Sequence, residues 1–110
     1  MPIEKWSEQV TVVRLSDDPQ FTEDLEALAE LPSKQRGGAV LDFSGVRFVN
    51  SSNIAKLLNL RMTMMSAGQK LVLCAVPTQL WGTFLTTGLD KVFEFSDNVT
   101  TGLATVQISG

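Results

Sequence analysis

Four small polar residues in a row, Asn50-Ser51-Ser52-Asn53, form the stretch where this chain could carry chemistry. Just beyond them Ile54, Leu57, Leu58, Arg61 and Met65 recur at helical i, i+3, i+4 steps. Small polar residues immediately before such a pattern mark a helix N-terminus. The free N–H groups and the dipole of that end favour a negative group, such as a phosphate esterified to a serine. The two hydroxyls therefore have two readings, as caps or as phosphoacceptors, and the local residues alone favour the caps. Catalysis by either serine is not supported. The chain has no His to act as base, and nothing in it matches the strained Gly-x-Ser-x-Gly elbow.

Other residues with reactive side chains offer less. Asp17 and Asp18 lie in a turn, and two adjacent acids do not make an ion site. They read as a solvated turn, or as a contact for a basic patch on a partner, because their loop is expected near the serine loop. Cys74 sits mid-strand among Leu73, Ala75 and Val76 and reads as a buried, inert thiol. Met62, Met64 and Met65 point in different directions on a helix and cannot all be buried alike. On the following helix Leu80 and Phe84 mark the inner face, with Trp81 and Leu85 at its edge. Core packing is the default for Trp81, and partial exposure would mark a second contact surface or a dimer. Lys34, Gln35 and Arg36 read as a solvated loop.

The elements that must position the polar cluster follow from patterning. Ile3–Ser7 is a candidate edge strand, and Val10–Leu15 (VTVVRL) is a β-branched strand ended by the turn at Ser16-Asp17-Asp18-Pro19. Phe21–Glu30 is a helix with Thr22 as expected N-cap and Phe21, Leu25 and Leu28 as its stripe. Leu31-Pro32-Ser33 stops it, and Lys34–Gly38 is a surface loop. Ala39–Phe43 is a strand, a turn at Ser44-Gly45 follows, and Val46–Val49 is a second apolar run before the cluster. The central helix ends at Ala67-Gly68. Lys70–Val76 (KLVLCAV) is a strand buried on both faces. A helix over Thr78–Thr87, a short strand over Val92–Phe95, a capping turn at Ser96-Asp97-Asn98 and a helix over Val99–Val106 complete the chain. Strands alternating with helices predict an α/β fold, with a mixed, mostly parallel sheet of four to five strands and about four helices on it. In such sheets sites favour loops at the carboxyl ends of strands, which is where Asn50–Asn53 falls.

Length and composition set the limits. At 110 residues the chain predicts one domain, 1–110. A net charge of −3, with nine scattered basic residues, argues against nucleic acid or anionic membrane as partners. One Cys and no His remove the commonest zinc sites and the usual Ser-His and Cys-His pairs. No metal and no cofactor is expected. A lone Cys suits a reducing, cytoplasmic setting. The first residues, MPIEKWSEQV, carry no signal-peptide pattern, and no apolar run is long enough to span a bilayer, so no membrane insertion is expected.

VLDFSGVRFVNSSN, then a helix, then GQKLVLCAVPTQLWGTFLTTGLDKVFEF, resembles the STAS domain, named for sulfate transporters and anti-sigma factor antagonists. The family pattern places Asp-Ser-Ser/Thr-Gly-Leu at the helix start, and Asp42, Ser51, Ser52, Gly68, Gly88 and Leu89 fall in register with it over about Val10–Val106. The resemblance implies a non-enzymatic partner switch. An anti-sigma factor that is also a serine kinase binds the domain, phosphorylates the first serine of the motif and is thereby released, and a serine phosphatase resets it. Carried over, Ser51 is the phosphoacceptor, and Asp17, Asp18, Asn50, Ser51, Ser52 and Asn53 are the expected partner-binding residues. The chain departs from the pattern at Asn50, where the family has Asp, at Asn53, where it has Gly, and at Leu15–Pro19. A non-switching subunit of a transporter or signalling complex is the alternative that these departures keep open. Oligomeric state, a homodimer included, is likewise open.

Overall fold

In the computed structural model, which describes residues 3–109, five strands form one sheet whose spatial order is also their order in the chain. They are β1 (Ile3–Ser7), β2 (Val10–Ser16), β3 (Gly38–Gly45), β4 (Leu71–Cys74) and β5 (Glu94–Ser96). Only β1 runs antiparallel, as a hairpin on β2. β2, β3, β4 and β5 are mutually parallel, with Val13, Leu41 and Leu73 level across three of them. The helices are α1 (Gln20–Glu30), α2 (Ser33–Arg36), α3 (Ser51–Ser66), α4 (Thr78–Thr86) and α5 (Val99–Ser109), with a 3₁₀ turn at Leu89–Lys91. The α/β expectation therefore holds, with α2 as an addition.

Period-2 alternation divides the sheet between two cores. Val13, Leu41 and Leu73 point to the larger core, with Phe21, Leu25 and Leu28 of α1, Leu57, Leu60 and Met64 of α3, and Leu80 and Phe84 of α4. Val12, Val40 and Val72 point the other way and meet Leu103 and Val106 of α5. Each such fully buried aliphatic side chain contributes roughly 1.5–3 kcal/mol of transfer free energy. Gly102 lets α5 approach closely, since a Cβ there would lie 3.0 Å from Cys74 Sγ and 3.2 Å from Val40 Cγ1. Cys74 is buried and its thiol is pushed up to about 12, first by burial and then by Asp42. A row of ring contacts crosses the larger core: Phe21–Phe43 at 6.0 Å, Phe43–Phe84 at 6.1 Å, Phe84–Phe95 at 5.4 Å and Phe95–Trp81 at 4.8 Å.

Several local expectations are corrected. The segment Lys34–Gly38 is not a solvated loop, for Ser33–Arg36 is helical and Arg36 is 1% exposed. The Arg36 Nη1 donates to Ala29 O and Leu31 O at the end of α1, and Nε and Nη2 donate to Gln69 Oε1 at 3.2 and 3.0 Å. Helix C-terminal carbonyls are short of donors and attract a cation, so α1 draws this guanidinium inward. α1 starts at Gln20, and Thr22 is inside it rather than its cap. The inner stripe of α3 is Asn53, Leu57, Leu60 and Met64, so Ile54, Leu58, Arg61 and Met65 flank it. Of the methionines, Met64 is buried while Met62 and Met65 are 65% and 59% exposed. β4 stops at Cys74 because Ala75 takes a φ of 56°. Val92 and Phe93 precede β5 rather than belonging to it, because the 3₁₀ turn consumes the residues before them. Leu103 and Val106 face inward as expected.

Candidate functional site

The polar cluster lies where β3 gives way to α3. Val46 N–H donates to Phe43 O at 3.0 Å across Ser44 and Gly45, which are the last two residues of β3 rather than the turn expected there. Val46 is buried and Val49 packs on the core, while Phe48 between them is 64% exposed. The Arg47 N–H donates to Asp17 Oδ1 at 2.8 Å, which pins this strap to the turn after β2. Asn50 has extended backbone, φ −107°, and is the N-cap of α3.

The cap is a reciprocal pair of asparagines. Asn53 N–H donates to Asn50 Oδ1 at 2.9 Å, and Asn50 N–H donates to Asn53 Oδ1 at 3.0 Å. This is the capping-box arrangement with Asn in both places. Ser51 and Ser52 lie between the two, both exposed, and neither hydroxyl takes part in the cap. The bland reading of the serines as caps is thereby answered, since the flanking residues do that work.

Asn53 turns inward and is 3% exposed. Its Nδ2 donates to Asp18 Oδ2 at 2.8 Å and lies 3.4 Å from Thr22 Oγ1. Asp18 Oδ1 accepts from Thr22 N–H at 3.0 Å and from Thr22 Oγ1 at 2.7 Å. The Asp18–Pro19 peptide bond is cis. Asp18 does for α1 what was expected of Thr22. The hydrogen bond from Asn53, followed by that from Thr22, holds the Asp18 carboxyl below the usual carboxylate range. Asp18 therefore stays charged at the mouth of α3.

Asp17, Asp18, Asn50, Ser51, Ser52 and Asn53 thus form one corner at the carboxyl ends of β2 and β3. Asp18, Asn50, Ser51 and Ser52 are exposed, Asp17 is half-buried, and Asn53 is the interior brace of the group. The Asn53–Asp18 bridge and the buried Arg36 were missed in the sequence. Asn50 and Asn53 do stand at the capping-box spacing, a readable signal; Arg36 carried none. Among the described residues no cluster of three or more His, Cys, Asp or Glu could hold a metal, and no helix is long and apolar enough to cross a membrane.

A family model described as the Mlab, STAS domain matches residues 4–99. The chain belongs to the STAS domain family. The order of elements accords with the resemblance read from Asp42, Ser51, Gly68, Gly88 and Leu89. No curated protein matches the sequence significantly. Among solved structures, this STAS domain is similar to RsbS of Moorella thermoacetica, at 22% identity and a TM-score of 0.78, over 97% of this chain and 96% of that one. It is similar to the anti-sigma factor antagonist SpoIIAA in its unphosphorylated form, at 13% identity and a TM-score of 0.76, over 96% and 94% of the two chains. It is also similar to a sulfate transporter family protein from Wolinella succinogenes, at 16% identity and a TM-score of 0.75, over 91% and 86%. At these identities the likeness is one of fold.

Proposed function

We propose that this STAS domain is an anti-sigma factor antagonist of the cytoplasm that acts by reversible protein binding and is switched off by phosphorylation of Ser51. One observation carries the reading. Ser51 is the exposed first residue of a 16-residue helix, and the helix is capped by Asn50 and Asn53 instead. A hydroxyl that holds nothing in place can be esterified without disturbing the fold. The helix end stabilises the added charge locally. A group of nearly two negative charges beside Asp17 and Asp18 then makes the corner strongly anionic, and a partner surface fitted to neutral Ser51 is repelled and left desolvated. The anti-sigma factor serine kinase is the binding partner, a serine phosphatase resets the switch, and the domain itself is not an enzyme.

The test is to incubate the protein with ATP and an anti-sigma factor kinase from the same genome and locate the phosphate by mass spectrometry. Phosphate on Ser51, absent from Ser51→Ala, supports the reading. Ser51→Asp should lose kinase binding, and equal binding by wild type and Ser51→Asp would sink the switch at this position.

A second reading keeps the fold without the switch, as a scaffold subunit of a transport or signalling assembly. Its support is the Mlab family model, together with neighbours that include a sulfate transporter family protein and a component of the stressosome. Recovery of such assemblies with the tagged protein, and no phosphate on Ser51 in vivo, would favour it.

A further inference from the structure

A second feature lies on the same edge of the sheet, at the carboxyl ends of β4 and β5, and shares no lining residue with the Ser51 corner. A cavity of about 400 Å³ is lined there by Val76, Thr78, Trp81, Phe95, Ser96 and Asp97. That volume is in the range that holds a small ligand. Its wall is the outer end of the aromatic row, with Trp81 and Phe95 in edge-to-face contact at 4.8 Å and 89°. Both rings are only half-buried, so part of each reaches the cavity. Just before Val76 on the lining, the chain makes an unusual turn. Ala75 takes a φ of 56°, a conformation that non-glycine residues seldom adopt, and is held by its N–H to Ser96 O at 3.3 Å.

The charge of the site has one sign. Among the described residues on the lining, Asp97 alone is formally charged and there is neither Lys nor Arg. Asp97 is exposed and is in no salt bridge among the described residues, whereas Glu4, Glu26 and Glu94 each pair with a cation. Trp and Phe rings attract a cation through their quadrupole, Trp most strongly. The Thr78 and Ser96 hydroxyls supply acceptors. The first N–H groups of α4 also face this end, but their partial charge is about half an elementary unit and is opposed by the full charge of Asp97.

We propose that this cavity is a binding site for an organic cation, an alkylammonium or guanidinium group, seated against Trp81 and Phe95 and paired with Asp97. The group is either the head of a free small molecule or the side chain of an Arg or Lys on a partner. The proposal does not depend on the phosphorylation of Ser51.

The chain has two Trp residues, so Trp6→Phe leaves Trp81 as the sole indole and makes its emission the readout. Tetramethylammonium chloride and N-acetyl-arginine amide are titrated at constant ionic strength, with sodium chloride as the matched control. A saturable change with an apparent Kd of about millimolar, the strength of a weak few-atom ligand, is expected. Asp97→Asn, whose exposed site leaves the fold intact, should weaken binding about two- to fivefold. Saturation by tetramethylammonium places the ligand among free quaternary amines, and saturation by the arginine derivative alone assigns the site to a partner's side chain. No saturable change with either cation, equal affinity in Asp97→Asn, or saturation by sulfate in place of the cations would overturn the proposal.

Discussion

Asn53 Nδ2 donates to Asp18 Oδ2 across 2.8 Å and so joins two turns that lie 35 residues apart in the chain. The same Asn53 side chain accepts the Asn50 N–H. One residue thus caps α3 and fixes the turn before α1. Asn53→Ala should cost about 1–2 kcal/mol, the sum expected of a lost cap and an orphaned buried partner. For a domain of this size that lowers Tm by about 4–8 °C. A double-mutant cycle with Asp18→Asn, read by urea unfolding, should show coupling, and strict additivity would mean that the bridge contributes nothing.

The serines between the asparagines should behave differently. Ser51→Ala and Ser52→Ala are expected to shift stability by less than about 0.5 kcal/mol, because neither hydroxyl holds the helix end. Asn50→Ala should cost about 1 kcal/mol. If Ser51→Ala were as costly as Asn50→Ala, the serine would be structural and its regulatory role would lose its main support.

Two aspartates should give opposite pH dependences. The folded Asp18 carboxyl is held below its ordinary value by Asn53 and Thr22. Its stabilisation is therefore complete above about pH 4 and is lost as pH falls through the depressed value. Asp24 is buried, with Oδ2 unpaired among the described residues, and desolvation followed by Glu23 raises its carboxyl. Its contribution is favourable below about pH 4 and is lost as pH rises through the raised value. Urea midpoints from pH 3 to 7 should show Asp18→Asn flattening the acid limb. Asp24→Asn should gain about 1 kcal/mol at pH 7 and nothing at pH 3. A wild-type advantage over Asp24→Asn at pH 7 would contradict the burial of an unpaired carboxylate.

Arg36 should be the most sensitive charged residue in the chain. It serves Ala29 O, Leu31 O and Gln69 Oε1 from a site that is almost fully buried. Arg36→Ala is expected to cost about 3 kcal/mol, through unpaired carbonyls and a cavity. Arg36→Lys should rescue little of it, because an ammonium cannot span the same acceptors. Chemical denaturation of the three proteins decides the matter.

Ala75→Gly should stabilise by up to about 1 kcal/mol, since glycine takes the positive φ of 56° without strain. Unfolding midpoints test this, and a net loss would mean that the methyl group packs more favourably than the strain costs.

Much of the fold was readable because its cause is local. VTVVRL and the LVLC core of KLVLCAV are strands, since β-branched and aliphatic runs bounded by turn residues have little else to become. Gly68, with a φ of 70°, ends α3 where a left-handed residue was expected. Asn98 Oδ1 accepts the Thr101 N–H and caps α5 as its type suggests. What was not readable depends on distant partners. Arg36 is polar in sequence and buried in space because the end of α1 and Gln69 surround it. The inner face of α3 was not readable because Leu57, Leu60 and Met64 form an apolar series as regular as the one with Ile54, Leu58 and Met65, and only the core they meet tells the two apart. The position of the serine corner was legible from Asn50–Asn53, while its bracing by Asp18 was not.

The strands sit in space in the order in which they are made. During synthesis each new strand therefore finds its neighbour already exposed: β1 and β2 close as a hairpin, β3 adds to β2, β4 to β3 and β5 to β4. No strand has to be inserted between two others, and no edge has to wait for a distant segment except the last. The sheet can grow from one side as the ribosome delivers it, and α5, made after all five strands, is the cover that closes its second face.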